Sequence, residues 1–186
     1  MMQFPPLQTD RLTLRGFELS DIPALLPLIG DRRVAATTLR IPHPYTEADA
    51  RDFITAAQQD LATGRELHVC LELRENHALC GGAGLRFEPG HHRAELGYWI
   101  GVSYWGNGYA TEAARALVKY GFGRLALRRI HAGHVADNIA SARVLQKIGM
   151  RHEGSFPQHI LKWGNFLDLE LYGMLASYAD RPRDTP

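Results

Sequence analysis

The clearest pattern of apolar and polar positions lies in residues 95–125, ELGYWIGVSYWGNGYATEAARALVKYGFGRL. In its second half, apolar or small residues recur at the spacing of one helix face: Ala110, Ala113, Ala114, Leu117, Val118, Gly121, Phe122 and Leu125. Charged residues such as Glu112 and Lys119 fall outside this face, where water can solvate them. The pattern predicts an apolar strand, a glycine-rich turn and a long amphipathic helix in immediate succession.

Patterning also predicts the elements that precede this segment. Residues 11–15 alternate leucine with polar neighbours, as a half-buried strand does. A first helix is expected to follow Ser20 and to end at Gly30. A second helix is opened by Thr46, with Asp49 three residues later as an approximate capping box.

The connections between apolar runs indicate how the strands pair. Residues 67–73, 79–87 and 94–100 are three such runs, and the turns between them are so short that the strands must be antiparallel neighbours. Residues 129–135 form another run, which must lie parallel to the strand from Glu95 because a helix joins the two.

The remaining elements complete the predicted fold. A last helix is expected with Ser141 as its N-cap, and terminal strands span residues 150–158 and 167–175. The fold class is therefore α/β (α+β), a mixed and mostly antiparallel sheet with one parallel pair and about four helices. We expect one domain over residues 1–178 and a flexible, proline-containing tail over residues 179–186.

The turn Trp105-Gly106-Asn107-Gly108-Tyr109 is the strongest candidate for a binding site. Its glycines permit positive φ angles, and a helix N-terminus with free N–H groups attracts anions. The expected cradle for a phosphate or pyrophosphate consists of the amides of Gly106, Asn107, Gly108, Tyr109, Ala110 and Thr111. The alternative is that the glycines serve the turn geometry only. The turn lacks the Gly-Lys-Ser/Thr of a Walker loop and the third glycine of a dinucleotide fingerprint.

Composition limits the classes of function. A net charge of +1 over 186 residues argues against nucleic-acid binding. The start, MMQFPPLQTDR, has no apolar stretch with the length of a signal or transmembrane segment, so we expect a cytoplasmic protein without membrane contact. Cys70 and Cys80 are expected to be reduced core residues, with a disulfide or a reactive thiol as the alternative. The adjacent His91 and His92 do not have the spacing of metal ligands, so no metal site is expected.

Two motifs in order resemble a known family. GYWIGVSYWGNGYATEA is followed about thirty residues later by DNIASARVLQKIGM, and together they resemble the acetyl-CoA-binding core of the GNAT N-acetyltransferases. The resemblance is to the branch that acetylates the N-terminal amines of ribosomal proteins, and it extends from LQTDRLTLR at the start to FLDLELYGML at the end. One departure is Trp105, where the general family pattern has Gln or Arg.

The resemblance implies a fork and a set of cofactor contacts. In that family the two parallel strands splay apart, and the pantetheine arm of acetyl-CoA lies between them like an extra strand. The implied contacts with pantetheine are the backbone groups of Trp99, Ile100, Gly101 and Val102, and the pyrophosphate lies on the glycine turn. The family's Asn-x-x-Ser matches Asn138 and Ser141, whose side chains would lie near the sulfur atom.

Direct acetyl transfer to an amine needs a base, an oxyanion partner and a proton for the departing thiolate. Glu95 is the first candidate base, with His131 and His134 as alternatives; Glu95 in a rim ion pair is the competing interpretation. Ser141 is the candidate proton donor, although helix capping alone would also account for it. A backbone amide near Trp99 or Ile100 would meet the oxyanion.

The acceptor amine is left open. The resemblance favours a protein N-terminus, whose pKa of about 8 leaves it partly neutral, over a lysine with a pKa near 10.4. Small-molecule acetyltransferases share the scaffold, and a non-catalytic acyl-CoA-binding sensor is a further alternative. The candidate acceptor-site residues are Tyr45, His68, Trp163 and Phe166, with packing in the core or at the rim as the alternative for each. A homodimer is expected from the resemblance alone.

Overall fold

The computed structural model describes residues 4–179, which form one eight-stranded sheet with helices on both faces. The strands are β1 Leu7–Gln8, β2 Leu12–Gly16, β3 Glu66–Leu73, β4 Leu79–Glu88, β5 Arg93–Ile100, β6 Arg129–Val135, β7 Arg151–Lys162 and β8 Asn165–Leu175. The helices are α1 Ile22–Ile29, α2 Arg32–Thr37, α3 Glu47–Thr63, α4 Tyr109–Gly123, α5 Ile139–Ile148 and the short α6 Ala176–Ala179. The predicted tail lies almost wholly outside the described residues, so its boundary stays a prediction.

The sheet has the strand order β1-β2-β3-β4-β5-β6-β8-β7. Every neighbouring pair is antiparallel except β5 and β6, which α4 connects. A helical crossover between neighbouring strands requires this parallel arrangement. The mixed sheet with one parallel pair is therefore confirmed.

Helices α4 and α5 cover one face of the sheet, and α1 and α3 pack on the other. The predicted stripe on α4 is the buried one, since Ala113, Ala114 and Leu117 are fully buried in the larger core cluster. The second cluster, around α1 and α3, is smaller and includes Cys70. The packing of α4 on the sheet thus places the N-terminus of this helix near the end of β5.

Three features of the helices differ from the prediction. The short helix α6, Ala176–Ala179, directly follows β8 and was not predicted. The helix α2, Arg32–Thr37, was not predicted, because six residues are too few to show a period between Gly30 and a proline-rich loop. The N-cap of α5 is Asn138 and not Ser141, because the Asn138 side chain accepts the amide of Ser141. The predicted capping box of Thr46 and Asp49 at α3 is confirmed.

Both cysteines are buried and free, as expected of reduced core residues. Burial raises the pKa of each thiol, Cys70 and Cys80, to about 12. Within residues 4–179, no helix is both long enough and apolar enough to cross a membrane.

Candidate active site

A fork between β5 and β6 is the centre of the candidate site. The two strands pair only at their first residues, from Arg93 opposite Arg129 to Glu95 opposite His131. Beyond that point β5 continues to Ile100 and β6 continues to Val135, but the two strands no longer pair with each other. The unpaired halves leave a gap in the middle of the sheet, which the sequence alone did not predict and the family resemblance implied.

The backbone of β5 presents alternate residues to this gap. The amide of Gly101 donates to Cys80 O at 2.9 Å, and Trp99 is in register with Gly82, so these two residues face β4. Because backbone groups alternate along a strand, Tyr98 and Ile100 face the gap instead. The implied set of Trp99 to Val102 therefore contains Ile100, whereas Tyr98 was missed because strand register is not visible in the sequence.

Trp105 is attached to the end of the same strand. Its indole Nε1 donates to Ile100 O at 2.7 Å, which closes the 3₁₀ turn Val102–Tyr104 against β5. The residue that departs from the family pattern thus has a structural role in this chain. The Ile100 amide and both backbone groups of Tyr98 still point into the gap.

The glycine turn has the conformation that the prediction required. Gly106 and Gly108 have φ angles of 80° and 82°, the left-handed region that side chains avoid. The first hydrogen bond of α4 runs from Glu112 N to Gly108 O at 3.1 Å, and no described side chain caps the helix. The amides before Glu112 consequently have no acceptor within the helix. Residues 106–111 thus form a row of free donors at the positive end of α4.

Tyr98 and Ser141 meet across the mouth of the fork. Tyr98 Oη lies 2.8 Å from Ser141 Oγ and 3.3 Å from Ser141 O. Burial raises the pKa of Tyr98 to about 12, although the hydrogen bond with Ser141 lowers it. The Tyr98 hydroxyl is therefore protonated at neutral pH, and together with the Ser141 hydroxyl it can deliver a proton to a group in the gap.

The side chain of Asn138 is already engaged at both of its polar atoms. Its Oδ1 accepts the amide of Ser141 at 3.1 Å, and its Nδ2 donates to Thr37 O at 3.2 Å. Asn138 therefore joins the start of α5 to the end of α2, and in this conformation it positions Ser141.

Glu95 lies on the opposite face of β5 from Tyr98, beside an open space. A Cβ atom built at Gly97 meets no described atom within 4 Å, so the surface next to Glu95 is accessible. Glu95 Oε2 accepts Arg40 Nη2 at 2.8 Å and also accepts Arg86 Nη2. The rim ion pair considered as an alternative is thus present. Both guanidinium groups bind Oε2, so Oε1 is the carboxylate oxygen that these two arginines leave available.

The two alternative bases lie in different environments. His131 is opposite Glu95 in the register of the fork, and its Nε2 is 3.4 Å from Glu88 Oε1. His134 is only 4% exposed, its Nδ1 lies 2.8 Å from Val135 O, and its Nε2 has no partner. Of the two, His131 shares the open face with Glu95, while His134 is enclosed beside Tyr172.

The tip of the β7–β8 hairpin closes one side of the site. Lys162 Nζ donates to the carbonyl oxygens of Ala35 and Thr38 at the end of α2, and burial lowers the pKa of Lys162. Trp163 packs under the guanidinium of Arg32, with 5.1 Å between the ring centre and Cζ. The hairpin and α2, which was not predicted, together form a wall beside the fork.

The predicted acceptor-site residues divide between this wall and the core. Phe166, 63% exposed, lines a small open cleft of about 210 Å³ with Val135, Ala136, Asp137, Leu167 and Asp168. Tyr45 packs against the smaller core cluster, and burial raises its pKa to about 12. His68 packs edge-on against Phe53. Phe166 and Trp163 are thus each exposed, Phe166 at the cleft and Trp163 beside Arg32, whereas Tyr45 and His68 pack against their neighbours.

One cluster within residues 4–179 has ligand atoms that lie within 4.8 Å of one another, and it consists of Asp60, Glu66 and His68. Its members already have partners, since Asp60 pairs with Arg65 and Glu66 pairs with His68 and Arg40. Each member of the cluster thus has an ion-pair partner among the described residues.

Comparisons with known proteins agree with this geometry. The acetyltransferase (GNAT) domain profile matches residues 11–151. The chain is 35% identical over 170 residues to the uncharacterized N-acetyltransferase YnaD of Bacillus subtilis, which covers 91% of this chain and 96% of that protein. A solved GNAT-family acetyltransferase from Bacillus anthracis is 30% identical with a TM-score of 0.83, covering 93% of this chain and 99% of that one.

A more distant solved structure extends the likeness of fold. RimL, a ribosomal L7/L12 alpha-N-protein acetyltransferase in complex with coenzyme A, is 22% identical with a TM-score of 0.84 and covers 92% of this chain and 97% of its own. At that identity the likeness concerns the fold alone. The domain profile and the Bacillus subtilis relative both span most of the chain, and they confirm the resemblance seen in the sequence. This chain therefore belongs to the GNAT acetyltransferase family and is an acyltransferase.

Proposed function

We propose that the chain transfers an acetyl group from acetyl-CoA to a primary amine by direct attack. The observation that carries the proposal is the juxtaposition of the unpaired half of β5 with the free amides of residues 106–111. A linear molecule with a pyrophosphate at one end and amides along its arm fits both features at once. Family membership and the coenzyme A bound to the distant neighbour RimL support the same assignment.

The cofactor contacts follow from which groups are free. The amides of Gly106, Asn107, Gly108, Tyr109, Ala110 and Thr111 hold the pyrophosphate. Tyr98 and Ile100 hydrogen-bond the pantetheine amides by β-augmentation. The other three residues of the implied set do not point into the gap. Their backbone or side chains pack on β4 and the turn, and these residues are Trp99, Gly101 and Val102. Acetyl-CoA supplies the activated thioester, which these contacts place at the mouth of the fork.

The residues around the mouth divide the chemistry of the transfer. The backbone amide of Tyr98 stabilises the oxyanion that forms when the amine attacks the carbonyl carbon, while the Tyr98 carbonyl and the Ile100 amide bind pantetheine. Ser141 gives its proton to the sulfur as the carbon–sulfur bond breaks and takes the Tyr98 proton through their hydrogen bond, and Tyr98 regains a proton from water when coenzyme A leaves. Asn138 holds Ser141 in place by capping α5.

The proton lost by the amine goes to a base on the open face. Glu95 is our candidate, acting through Oε1, because Arg40 and Arg86 both bind Oε2. His131 is the alternative base on the same face. A carboxylate held in this way suits an amine that is partly neutral already, such as a protein N-terminus with a pKa of about 8.

For the acceptor we propose the N-terminal amine of a ribosomal protein. The sequence motifs of that branch and the likeness of fold to RimL support it. Trp163 and Phe166, two exposed aromatic residues at the tip of the β7–β8 hairpin, offer apolar contact for the residues that follow such an N-terminus. Small-molecule amines are the competing acceptors, because the same scaffold serves both classes.

The test is thiol release from acetyl-CoA with two separate acceptor pools from a cell extract, ribosomal proteins and small molecules, followed by mass spectrometry. An added acetyl group on one ribosomal-protein N-terminus supports the whole proposal. Acetylation only among small molecules retains the reaction and overturns the acceptor. Coenzyme A binding without thiol release in either pool overturns the enzymatic proposal and favours a sensor.

A further inference from the structure

An arginine from the other end of the chain contacts the glycine turn. Arg11 precedes β2, and its Nη1 donates to Asn107 O at 2.9 Å. Its Nε donates to Glu112 Oε2 at 2.8 Å, and its backbone amide donates to Glu112 Oε1 at 2.8 Å. The guanidinium also lies over the Tyr109 ring, with 4.8 Å between Cζ and the ring centre. Arg11 is therefore held in one orientation at the start of α4.

The contact with Asn107 O fixes the direction of the peptide that follows it. In a trans peptide the C=O and N–H bonds point in opposite directions. Because Arg11 holds the carbonyl of Asn107, the amide of Gly108 points away from Arg11 and into the row of free donors. Gly106 and Gly108 lie on either side with positive φ angles, and glycine tolerates both signs of φ. Without Arg11 this peptide can rotate and turn a carbonyl oxygen toward a bound anion.

The contact with Glu112 sets the charge beside the same donors. Glu112 lies in the first turn of α4, and its carboxylate accepts Thr9 Oγ1 at 2.6 Å in addition to Arg11. Burial by itself raises the pKa of Glu112, but the hydrogen bonds from Thr9 and Arg11 lower it below its usual value. Glu112 is thus ionised at neutral pH, and without Arg11 its charge would oppose an anion at the N-terminus of α4.

We infer that Arg11 is a positioning residue that sets the affinity of the chain for the pyrophosphate of its acyl-CoA. It does so by orienting the Asn107–Gly108 peptide and by neutralising Glu112. The inference rests on the proposed function, which places the pyrophosphate on residues 106–111. It adds a determinant of cofactor binding that lies outside the glycine turn and nearly a hundred residues before it in the chain.

The experiment compares acetyl-CoA with acetyl-pantetheine, which has the thioester and the arm but no pyrophosphate. Arg11→Gln removes the guanidinium, with its contacts to Asn107 and Glu112 and its charge, and keeps the backbone amide contact with Glu112. Arg65→Gln is the matched control, an exposed arginine that pairs with Asp60 at 2.8 Å. For Arg11→Gln we expect the KM for acetyl-CoA and the Kd for coenzyme A to rise about tenfold, with kcat at saturation within about twofold. We expect kcat/KM for acetyl-pantetheine to match the control.

Arg11→Lys keeps the charge, but an ammonium group cannot bind Asn107 and Glu112 together as the guanidinium does. We therefore expect its affinity for coenzyme A to fall about threefold. It also serves where Arg11→Gln unfolds, as judged by its melting curve. Unchanged coenzyme A affinity in both variants overturns the inference and leaves the proposed function intact. Equal losses with both substrates also overturn it, because Arg11 would then act on the whole site. A wild-type chain that does not bind coenzyme A overturns the proposed function itself.

Discussion

Replacing Tyr98 by phenylalanine removes one oxygen atom from the mouth of the fork and leaves the ring in place. Tyr98 Oη is 2.8 Å from Ser141 Oγ, so the variant deletes one neutral hydrogen bond between β5 and α5. Such a bond contributes a net of about 1 kcal/mol to stability. In a domain of this size that corresponds to a fall in Tm of about 2–4 °C.

The expected loss of activity is larger for Ser141 than for Tyr98. A positioned general acid contributes about 10²–10⁴ in rate, so Ser141→Ala should lower kcat about a hundredfold. Tyr98→Phe removes the group that orients and re-protonates Ser141, a contribution of about one hydrogen bond, so a loss of about tenfold is expected. Because the two hydroxyls act as a unit, the double variant should lose about as much as Ser141→Ala alone.

The assay is thiol release at saturating acetyl-CoA, with urea unfolding of each variant alongside it. Tyr120→Phe is the matched control, since Tyr120 is a buried tyrosine near the far end of α4 from the glycine turn. The reasoning is refuted if Tyr98→Phe and Tyr120→Phe have the same kcat while the stability of Tyr98→Phe falls as expected. Multiplying losses in the double variant would show that the two hydroxyls act independently.

Three further predictions concern the turn, the acid stability and the thiols. Gly108→Ala places a methyl group at a φ of 82°, and the nearest atom, Arg11 Nη2, is 3.6 Å away. The backbone is therefore strained without a clash, and the free energy of unfolding in urea should fall by about 1–2 kcal/mol. The KM for acetyl-CoA should rise. Burial raises the pKa of Asp21, but the hydrogen bonds from Arg15 lower it, and in the folded state this pKa is below its usual value. The stability that Asp21 contributes is therefore present above its unfolded pKa of about 3.9 and is lost as the pH falls through the folded pKa. Asp21→Asn should reduce the loss of stability measured by unfolding curves between about pH 6 and about pH 3. Burial raises the pKa of Cys70 and Cys80 to about 12. Iodoacetamide at about pH 8 should therefore label neither cysteine in the folded chain and both in urea. Labelling without urea would contradict the buried placement.

The sequence predicted the parts of the fold that depend on local patterns. The stripe on α4 and the turn with two glycines are recognisable because helical periodicity and positive φ each demand particular residues. The parallel arrangement of β5 and β6 followed from the length of the connection between them. The glycine turn lies between the end of β5 and the start of α4, as predicted, and its role as an anion site stays a prediction.

The parts that the sequence did not predict depend on register and on distant contacts. Tyr98 was missed because an apolar strand does not reveal which backbone groups are already paired, and only the contact of Gly101 with Cys80 decides it. Ser141 was taken for a helix cap because Asn138 and Ser141 are both good caps, and the choice depends on where α5 begins. The ion pairs of Glu95 join elements far apart in the chain, and no spacing indicates them.

The most direct test of the central claim is an amide NMR titration of the isotope-labelled 20.8 kDa chain with coenzyme A. We predict that the largest shifts occur at the amides of residues 106–111 and at those of Tyr98 and Ile100, the groups that have no acceptor in the fork and turn. Shifts of Trp99 and Gly101 should be smaller, because their backbone groups already face β4. Saturable binding with unchanged amides in the turn and fork, or no binding at all, would contradict the account.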